Sequence, residues 1–449
     1  MKHRRLKRVL VGAMVLLTTL TSFSQEKRLL TLKEAIDLSI KNSKQLKGSE
    51  ARIAQATAAL REAVDRKLPD ASVSGSYLRL NKPNVSLKSK SSSSTGGGTP
   101  PTTEESPKPN AAAYLLANVS MPIYSGFRIK YGIESAKYLE QAARLDAEDD
   151  KEEIAANTID AYNNLYKSKS AVDIVAENLE TAQQRVNELS NLEKNGLLAR
   201  NDLLKAQLGQ SNIELALLDA QNNWQLANIN MDLMLGLPET TEIVIDSSSL
   251  QTSANLKTIE EYVQAGLQNR KDLSALGYRK KAAETGVKAT LGERYPSVAV
   301  TGGYVAMDVP HLLTVTNAVN LGLGVRYDIG SLWKNKAKVQ QAQARVLEVQ
   351  AGEAQLEDAI RLQVHQRYLA YLTGQKRIDV NATAVAQATE NYRVINNKYK
   401  NSLATTTELL DADAALLQTR LNLSFAQSDA VVAYNKLLQA AGLLTTETK

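Results

Sequence analysis

Along most of this chain apolar positions recur every three or four residues, and in four short stretches they recur every two. The longest three-four run reads Ile154, Thr158, Ala161, Leu165, Ser168, Val172, Val175, Leu179, Ala182, Val186 and Leu189, the spacing of a coiled-coil seam. It predicts a long helix over about 128–193 and a return helix over about 200–235, ended by Gly236-Leu237-Pro238. A second seam, Ile360, Val364, Arg367, Tyr371, Gly374, Ile378, Asn381, Val385, Ala388, Tyr392 and Ile395, predicts another long helix over about 332–400 with a return over about 404–441. Further helices are expected from Leu32 to Lys67 and from Thr258 to Leu291. Small and polar residues within both seams point to closely packed helices without a broad core.

The period-two stretches predict strands over about 71–82, 112–124, 297–307 and 319–329. Val319, Leu321, Leu323, Val325, Tyr327 and Ile329 alternate with polar or small residues, and Leu115, Ala117, Val119, Met121 and Ile123 do the same. Such runs are long enough to cross a bilayer when tilted. Tyr77, Tyr114, Tyr124, Tyr295, Tyr304 and Tyr327 lie near strand ends, where an aromatic girdle would sit. Four strands cannot close a barrel, and an open sheet edge cannot face lipid, so spanning strands require several chains in one barrel.

The chain also repeats itself. Glu34, Leu46, Pro69, Gly75 and Tyr77 recur as Glu261, Leu273, Pro296, Gly302 and Tyr304, an offset of 227. Tyr162, Leu197, Leu203, Leu204, Ala206 and Gly236 recur as Tyr368, Leu403, Leu409, Leu410, Ala412 and Gly442, an offset of 206. The chain is thus read as a first repeat over 25–245, with a linker from 236 and a strand-like run at Glu242 to Ile245, and a second over 246–449. The offsets differ because the first copy carries a Ser-, Gly- and Pro-rich loop over 84–110, which the second replaces with a short turn around Pro310 and His311. A long helix of about 66 residues would be a rod of roughly 100 Å, which two shorter helices stacked end to end would match.

The N-terminus changes the picture of compartment and charge. Lys2, Arg4, Arg5, Lys7 and Arg8 precede an apolar run from Val9 to Leu20, so residues 1–24 are read as a secretory signal peptide. The formal charge of +6 is mostly that segment, and the remainder does not suit a nucleic-acid partner. The chain contains no cysteine, which excludes disulfides and a lipidated N-terminal cysteine. His3, His311 and His365 are scattered, and Gly322-x-Gly324 lies inside a strand, so no metal, cofactor or phosphate site is expected, and no nucleophile, base and orienter set stands out.

The order of these elements resembles the TolC family of outer-membrane efflux proteins across essentially the whole mature chain. Met121-Pro122-Ile123-Tyr124-Ser125-Gly126 resembles the family's strand-to-helix junction, and the run from Gly196 through Ala206 its helical turn, with a second such turn at Tyr399 through Ala412. The resemblance implies a mixed, mainly α fold: long coiled-coil hairpins forming an α-barrel, with four strands per chain in a shared transmembrane β-barrel. It further implies a homotrimer in the outer membrane of a Gram-negative bacterium, in contact with its lipid, with a long periplasmic extension. Function would be that of a passive export duct of a tripartite efflux or type I secretion system, not an enzyme, with a periplasmic adaptor protein and an inner-membrane transporter as partners. The adaptor would meet the hairpin tips, Gly196, Leu197, Leu198, Ala199 and Arg200 in one and Ser402, Leu403, Ala404 and Thr405 in the other.

The same resemblance places a periplasmic gate at Tyr399, Asp202, Glu408 and Asp411, with Tyr399 as the gating tyrosine, Asp202 as its partner and the two acids as rings facing the pore. The family's arginine falls on Ala404, a departure that removes one charge-assisted hydrogen bond. From spacing alone, Glu408 and Asp411 are acids in the first turn of a helix starting near Thr405 to Thr407, where they favour the dipole. The competing reading of the whole chain is a secreted periplasmic coiled-coil structural or interaction protein with no pore.

Overall fold

The computed structural model describes residues 27–81, 83, 109–246, 256–310 and 312–444. The signal segment, all but the end of the 84–110 loop, and His311 lie outside the described residues. The chain forms two compact units. One holds the described residues up to Glu50, Asp146–Leu273 and those from Leu356; the other holds Ala51–Leu145 and Ser274–Gln355.

In chain order the elements are β1 (Lys27–Leu30), α1 (Leu32–Asn42), α2 (Lys44–Asp65), β2 (Asp70–Arg79), β3 (Ala111–Tyr124), α3 (Arg128–Lys194), α4 (Arg200–Leu235) and β4 (Glu242–Ile245). There follow α5 (Ile259–Asn269), α6 (Lys271–Leu291), a 3-10 turn at Gly292–Arg294, β5 (Ser297–Val309), β6 (Leu313–Arg326), α7 (Ser331–Lys400) and α8 (Thr406–Ala440). Among the described residues no helix is long and apolar enough to cross a membrane.

Three differences from the sequence expectation have identifiable causes. The helices expected over Leu32–Lys67 and Thr258–Leu291 are each broken, at Ser43 and Arg270, where the backbone is extended with ψ of 124° and 129°. Ser43 Oγ accepts the Leu46 N–H, while the Arg270 guanidinium turns onto Asp272 at 2.6 and 3.0 Å. These positions are 227 apart, so the break belongs to the repeat. The strand expected to reach Ile329 stops at Arg326, because Asp328 Oδ1 accepts the Gly330 N–H and turns the chain into α7; it also starts earlier, at Leu313. Finally, Lys27–Leu30 is a strand that the sequence did not announce, paired in parallel with β4. Tyr162, fully buried, donates its hydroxyl to Leu30 O at 2.8 Å and fastens that pair to α3.

In the second unit, β2, β3, β5 and β6 form one antiparallel sheet in that order. Directly paired residues share a face. Register therefore places Val73, Ala117, Tyr304 and Val319 in one row, and Ala71, Val119, Gly302 and Leu321 in the next. On β6 this face is bare: Val319, Leu321, Leu323 and Val325 are 70–83% exposed. The opposite face carries Ser72, Asn118, Gly303 and Asn320 across the same sheet. The first side is thus the more apolar, while the second mixes that polar row with Leu116, Val305 and Ala318; among the described residues β2 and β6 each leave one edge free.

The sheet passes into α3 through Gly126, whose φ is +65°. A Cβ on Gly126 would sit 2.2 Å from Gly292 O, and one on Gly292 would sit 2.4 Å from Gly126 O. Backbone meets backbone here, so neither position can yield by turning a side chain. Gly126→Ala is expected to cost upwards of about 2 kcal/mol, combining left-handed strain with the clash, and to lower the yield of folded protein in membranes relative to Gly132→Ala, where a Cβ meets open space.

In the first unit, Ile36, Ile159, Tyr262, Ile360, Val364, Tyr371, Leu437 and Leu438 pack into one apolar cluster, and Leu30, Tyr162, Leu165, Met231, Leu235 and Ile243 into another. The α3 seam is buried at Ile154, Thr158, Leu165, Val175 and Leu189, with Ala161 and Leu165 in the second of these clusters. The α7 seam behaves differently: beyond Tyr371 its members are only half-covered. Two further apolar rows lie on the outer surface of this unit. Leu208, Leu215, Leu226 and Leu233 on α4 are 58–66% exposed, and Leu362, Leu369 and Val380 on α7 are 56–60% exposed, each at helical repeat spacing.

Candidate functional site: the hairpin tips

The two helical turns are built alike. At the first, α3 ends on Gly196 with φ +73°, and the Leu197 N–H reaches back to Leu192 O at 2.9 Å. At the second, α7 ends on Ser402 with φ +59°, and Leu403 donates to Lys398 O at 2.8 Å. Both are Schellman-type stops, one with glycine and one with serine at the left-handed position. Leu197 and Leu403 project from the tips 74% and 75% exposed.

The return helices begin differently. Ala199 precedes α4 without a side-chain cap. Thr405 and Glu408 form a reciprocal capping box at α8: Thr405 Oγ1 accepts the Glu408 N–H at 3.2 Å, and Glu408 Oε2 accepts the Thr405 N–H at 2.7 Å. The Thr405 N–H first, and second its hydroxyl, which also donates to Glu408 Oε2 at 2.9 Å, hold the Glu408 carboxyl below its ordinary range. Glu408 thus caps α8 from its first turn, where the spacing alone had put it, whereas Asp411 lies beyond that turn. Asp411, exposed three residues on, lines a recess with Asn178, Ala206 and Ala414.

Tyr399 is half-buried and belongs to the first hairpin's packing, against Leu189, Leu203 and Ala206. Its hydroxyl is reached by Thr406 Oγ1 at 3.5 Å. Asp202 pairs with Lys205 at 3.8 Å on its own helix. Among the described residues no hydrogen bond joins Tyr399 to Asp202. Arg200 faces Glu193 at 3.8 Å within its own hairpin.

A stronger link lies farther along the helices and was absent from the sequence reading. Arg185 on α3 donates Nη1 to Asp413 Oδ2 on α8 at 2.8 Å and Nη2 to Tyr392 on α7 at 2.9 Å. Both charged side chains are over nine-tenths buried. Burial alone would lower the Arg185 pKa, but the hydrogen bond and charge of Asp413, with Tyr392, outweigh it and raise the pKa above its usual value. One guanidinium from the first hairpin thus holds both helices of the second. A signal for it was present: Asp413 stands four after Leu409 and three before Leu416, so an acid occupies a seam position.

The family profile for outer membrane efflux proteins matches residues 35–237 and 262–443, one segment in each repeat. The chain belongs to the outer membrane efflux protein family. It is similar to outer membrane efflux protein BepC of Brucella suis biovar 1, 22% identical over 328 residues that cover 72% of this chain and 71% of that one. Its fold is similar to that of VceC from Vibrio cholerae, with a TM-score of 0.72 at 20% identity over 92% of this chain and 96% of that one. It is likewise similar to CmeC of Campylobacter jejuni, with a TM-score of 0.73 at 16% identity, covering 92% and 86%. This efflux protein is accordingly an outer-membrane channel with a periplasmic helical extension, and its family is one of channels. The secreted coiled-coil alternative is set aside: it gives no reason for a sheet whose apolar face is left bare.

Proposed function

We propose that this efflux protein is a passive duct, a homotrimer whose three sheets close one twelve-stranded barrel, serving a tripartite efflux or type I secretion system. The carrying observation is the four-stranded sheet with two free edges and a bare apolar face. In lipid each unpaired edge amide costs several kcal/mol, so edges must pair with other copies. The leucine rows on α4 and α7 support the same reading for the helices. A detergent-corrected mass by light scattering, followed by bilayer conductance, tests it: a conducting trimer is expected, and a monomer soluble without detergent would sink it.

A periplasmic adaptor would dock on the hairpin tips, where Leu197 and Leu403 are offered at equivalent places, and an inner-membrane transporter would supply the energy. The gate lies at Tyr399, Asp202, Glu408 and Asp411, with Tyr399 closing the entrance by inserting from the second hairpin into the turn of the first. Acidic side chains around the aperture would favour cations there. Tyr399→Ala is expected to raise single-channel conductance severalfold, and Tyr399→Phe with Asp202→Ala to raise it less, since packing and not a direct bond holds the tyrosine. Unchanged conductance in both would remove Tyr399 from the gate.

A further inference from the structure

The junctions where β3 enters α3 and β6 enters α7 carry one pattern twice. Phe127, Arg128 and Lys130 recur as Trp333, Lys334 and Lys336 at the repeat offset of 206. All six are exposed, Phe127 by 51% and Trp333 by 65%. Neither helix has an acid in its first turn, although that is where acids are favoured.

Position relative to the membrane face follows from register. The ladder of β3 slips between Pro122 and Tyr124, so that Tyr124 pairs with Val298. Val298 lies on the apolar face with Val325, and the bulge therefore turns Tyr124 to that face. Phe127 stacks edge-on against Tyr124 at 5.4 Å and holds φ at +64°, an unfavourable conformation for a bulky side chain. Strain is accepted at a position that continues the lipid-facing surface one step past the strands.

The charges beside these rings have backbone and ring contacts in place of acidic partners. Arg128 Nε donates to Ser125 O, and Lys130 lies over the Tyr131 ring at 6.0 Å. Nearby acids are occupied elsewhere: Glu293 with Lys338 at 2.7 Å, Glu134 with the Tyr138 hydroxyl, and Asp328 with the Gly330 N–H. Among the described residues no carboxylate pairs with Arg128, Lys130, Lys334 or Lys336.

We propose that these two repeat-related clusters form a belt that binds anionic phospholipid headgroups in the periplasm-facing leaflet. The rings sit at the boundary of hydrocarbon and headgroup, and the four cations meet lipid phosphates one level below. Occupancy by lipid follows from continuity with the bare apolar sheet face and from the uncompensated positive charge; each basic group near such a surface attracts anionic lipid. Aromatic side chains belong at this depth on general grounds.

The protein contains two tryptophans, Trp224 and Trp333, so Trp224→Phe leaves Trp333 as a reporter. That protein is reconstituted in phosphatidylcholine vesicles containing phosphatidylglycerol, with one lipid or the other brominated high on its acyl chains. Brominated phosphatidylglycerol is expected to quench Trp333 about twofold more than brominated phosphatidylcholine at equal mole fraction. Replacing Arg128, Lys130, Lys334 and Lys336 by glutamine should abolish the preference while leaving conductance and quenching by phosphatidylcholine in place. Equal quenching by the two lipids, quenching by neither, or a preference that survives the four substitutions would each overturn the belt.

Discussion

Arg185→Met is expected to loosen the tip-side halves of both hairpins at once. The substitution leaves the Asp413 carboxylate buried without its partner, and breaking a buried ion pair from one side costs about 3–5 kcal/mol. If local opening of α8 is the relevant event, that is roughly two to three and a half powers of ten in protection, at about 1.4 kcal/mol per tenfold. Hydrogen exchange in α8 around Asp413 should accelerate by that order, and closed-state conductance should rise. Restoring apolar balance with Asp413→Leu should recover most of the lost protection, since well-packed hydrophobic replacements of buried pairs are often neutral. Tyr392→Phe removes one hydrogen bond to a charged donor and should cost less, about 1.5–3 kcal/mol. If Arg185→Met alone leaves exchange in α8 unaltered, the pair does not hold the hairpins together.

Leu215→Glu with Leu226→Glu is expected to abolish the assembled ring. Both leucines lie on the exposed row of α4, 61% and 66% exposed, and the matching row on α7 offers Leu362 and Leu369. Burying a leucine is worth about 1.5–3 kcal/mol, so two lost per interface remove about 3–6 kcal/mol, before the cost of placing carboxylates there. Detergent-corrected mass should fall below that of a trimer, and Leu369→Glu, approached from the other side, should weaken assembly in the same direction. A trimer of unchanged mass carrying both α4 substitutions would mean that the leucine rows face water or another partner.

Much of the architecture could be read from periodicity because it is repetitive. The seams from Ile154 and Ile360, and the alternation from Val319 to Val325, repeat a simple rule over many residues, and duplication let a weak strand such as Asp70–Arg79 borrow strength from its counterpart. What escaped was local or long-range. Lys27–Leu30 is too short to show a period, and its identity as a strand depends on a partner more than two hundred residues away. The break at Ser43 was hidden because serine is tolerated within helices; only its side chain's choice to cap Leu46 decides the matter.

At the tips the resemblance supplied positions but not partners. Tyr399 meets the first hairpin through Leu189 and Leu203, and Glu408 spends its carboxylate on Thr405. The family arginine is Ala404 here, while Arg185 and Asp413 make a buried tie several turns away. An ion pair spanning 228 positions leaves no periodic trace, although the acid at a seam position was a legible half of it.

The free edges of β2 and β6 also bear on how this channel comes into being. A strand edge offers a row of amides that lipid cannot solvate, so the sheet has no stable membrane-embedded form as a single chain. In the proposed trimer its folding and its association are then one event, and the apparent stability of the sheet depends on how many protomers are at hand. A chain with one spoiled edge would still join its neighbours through the other. Such a defect would therefore be dominant, disabling rings composed mostly of sound copies.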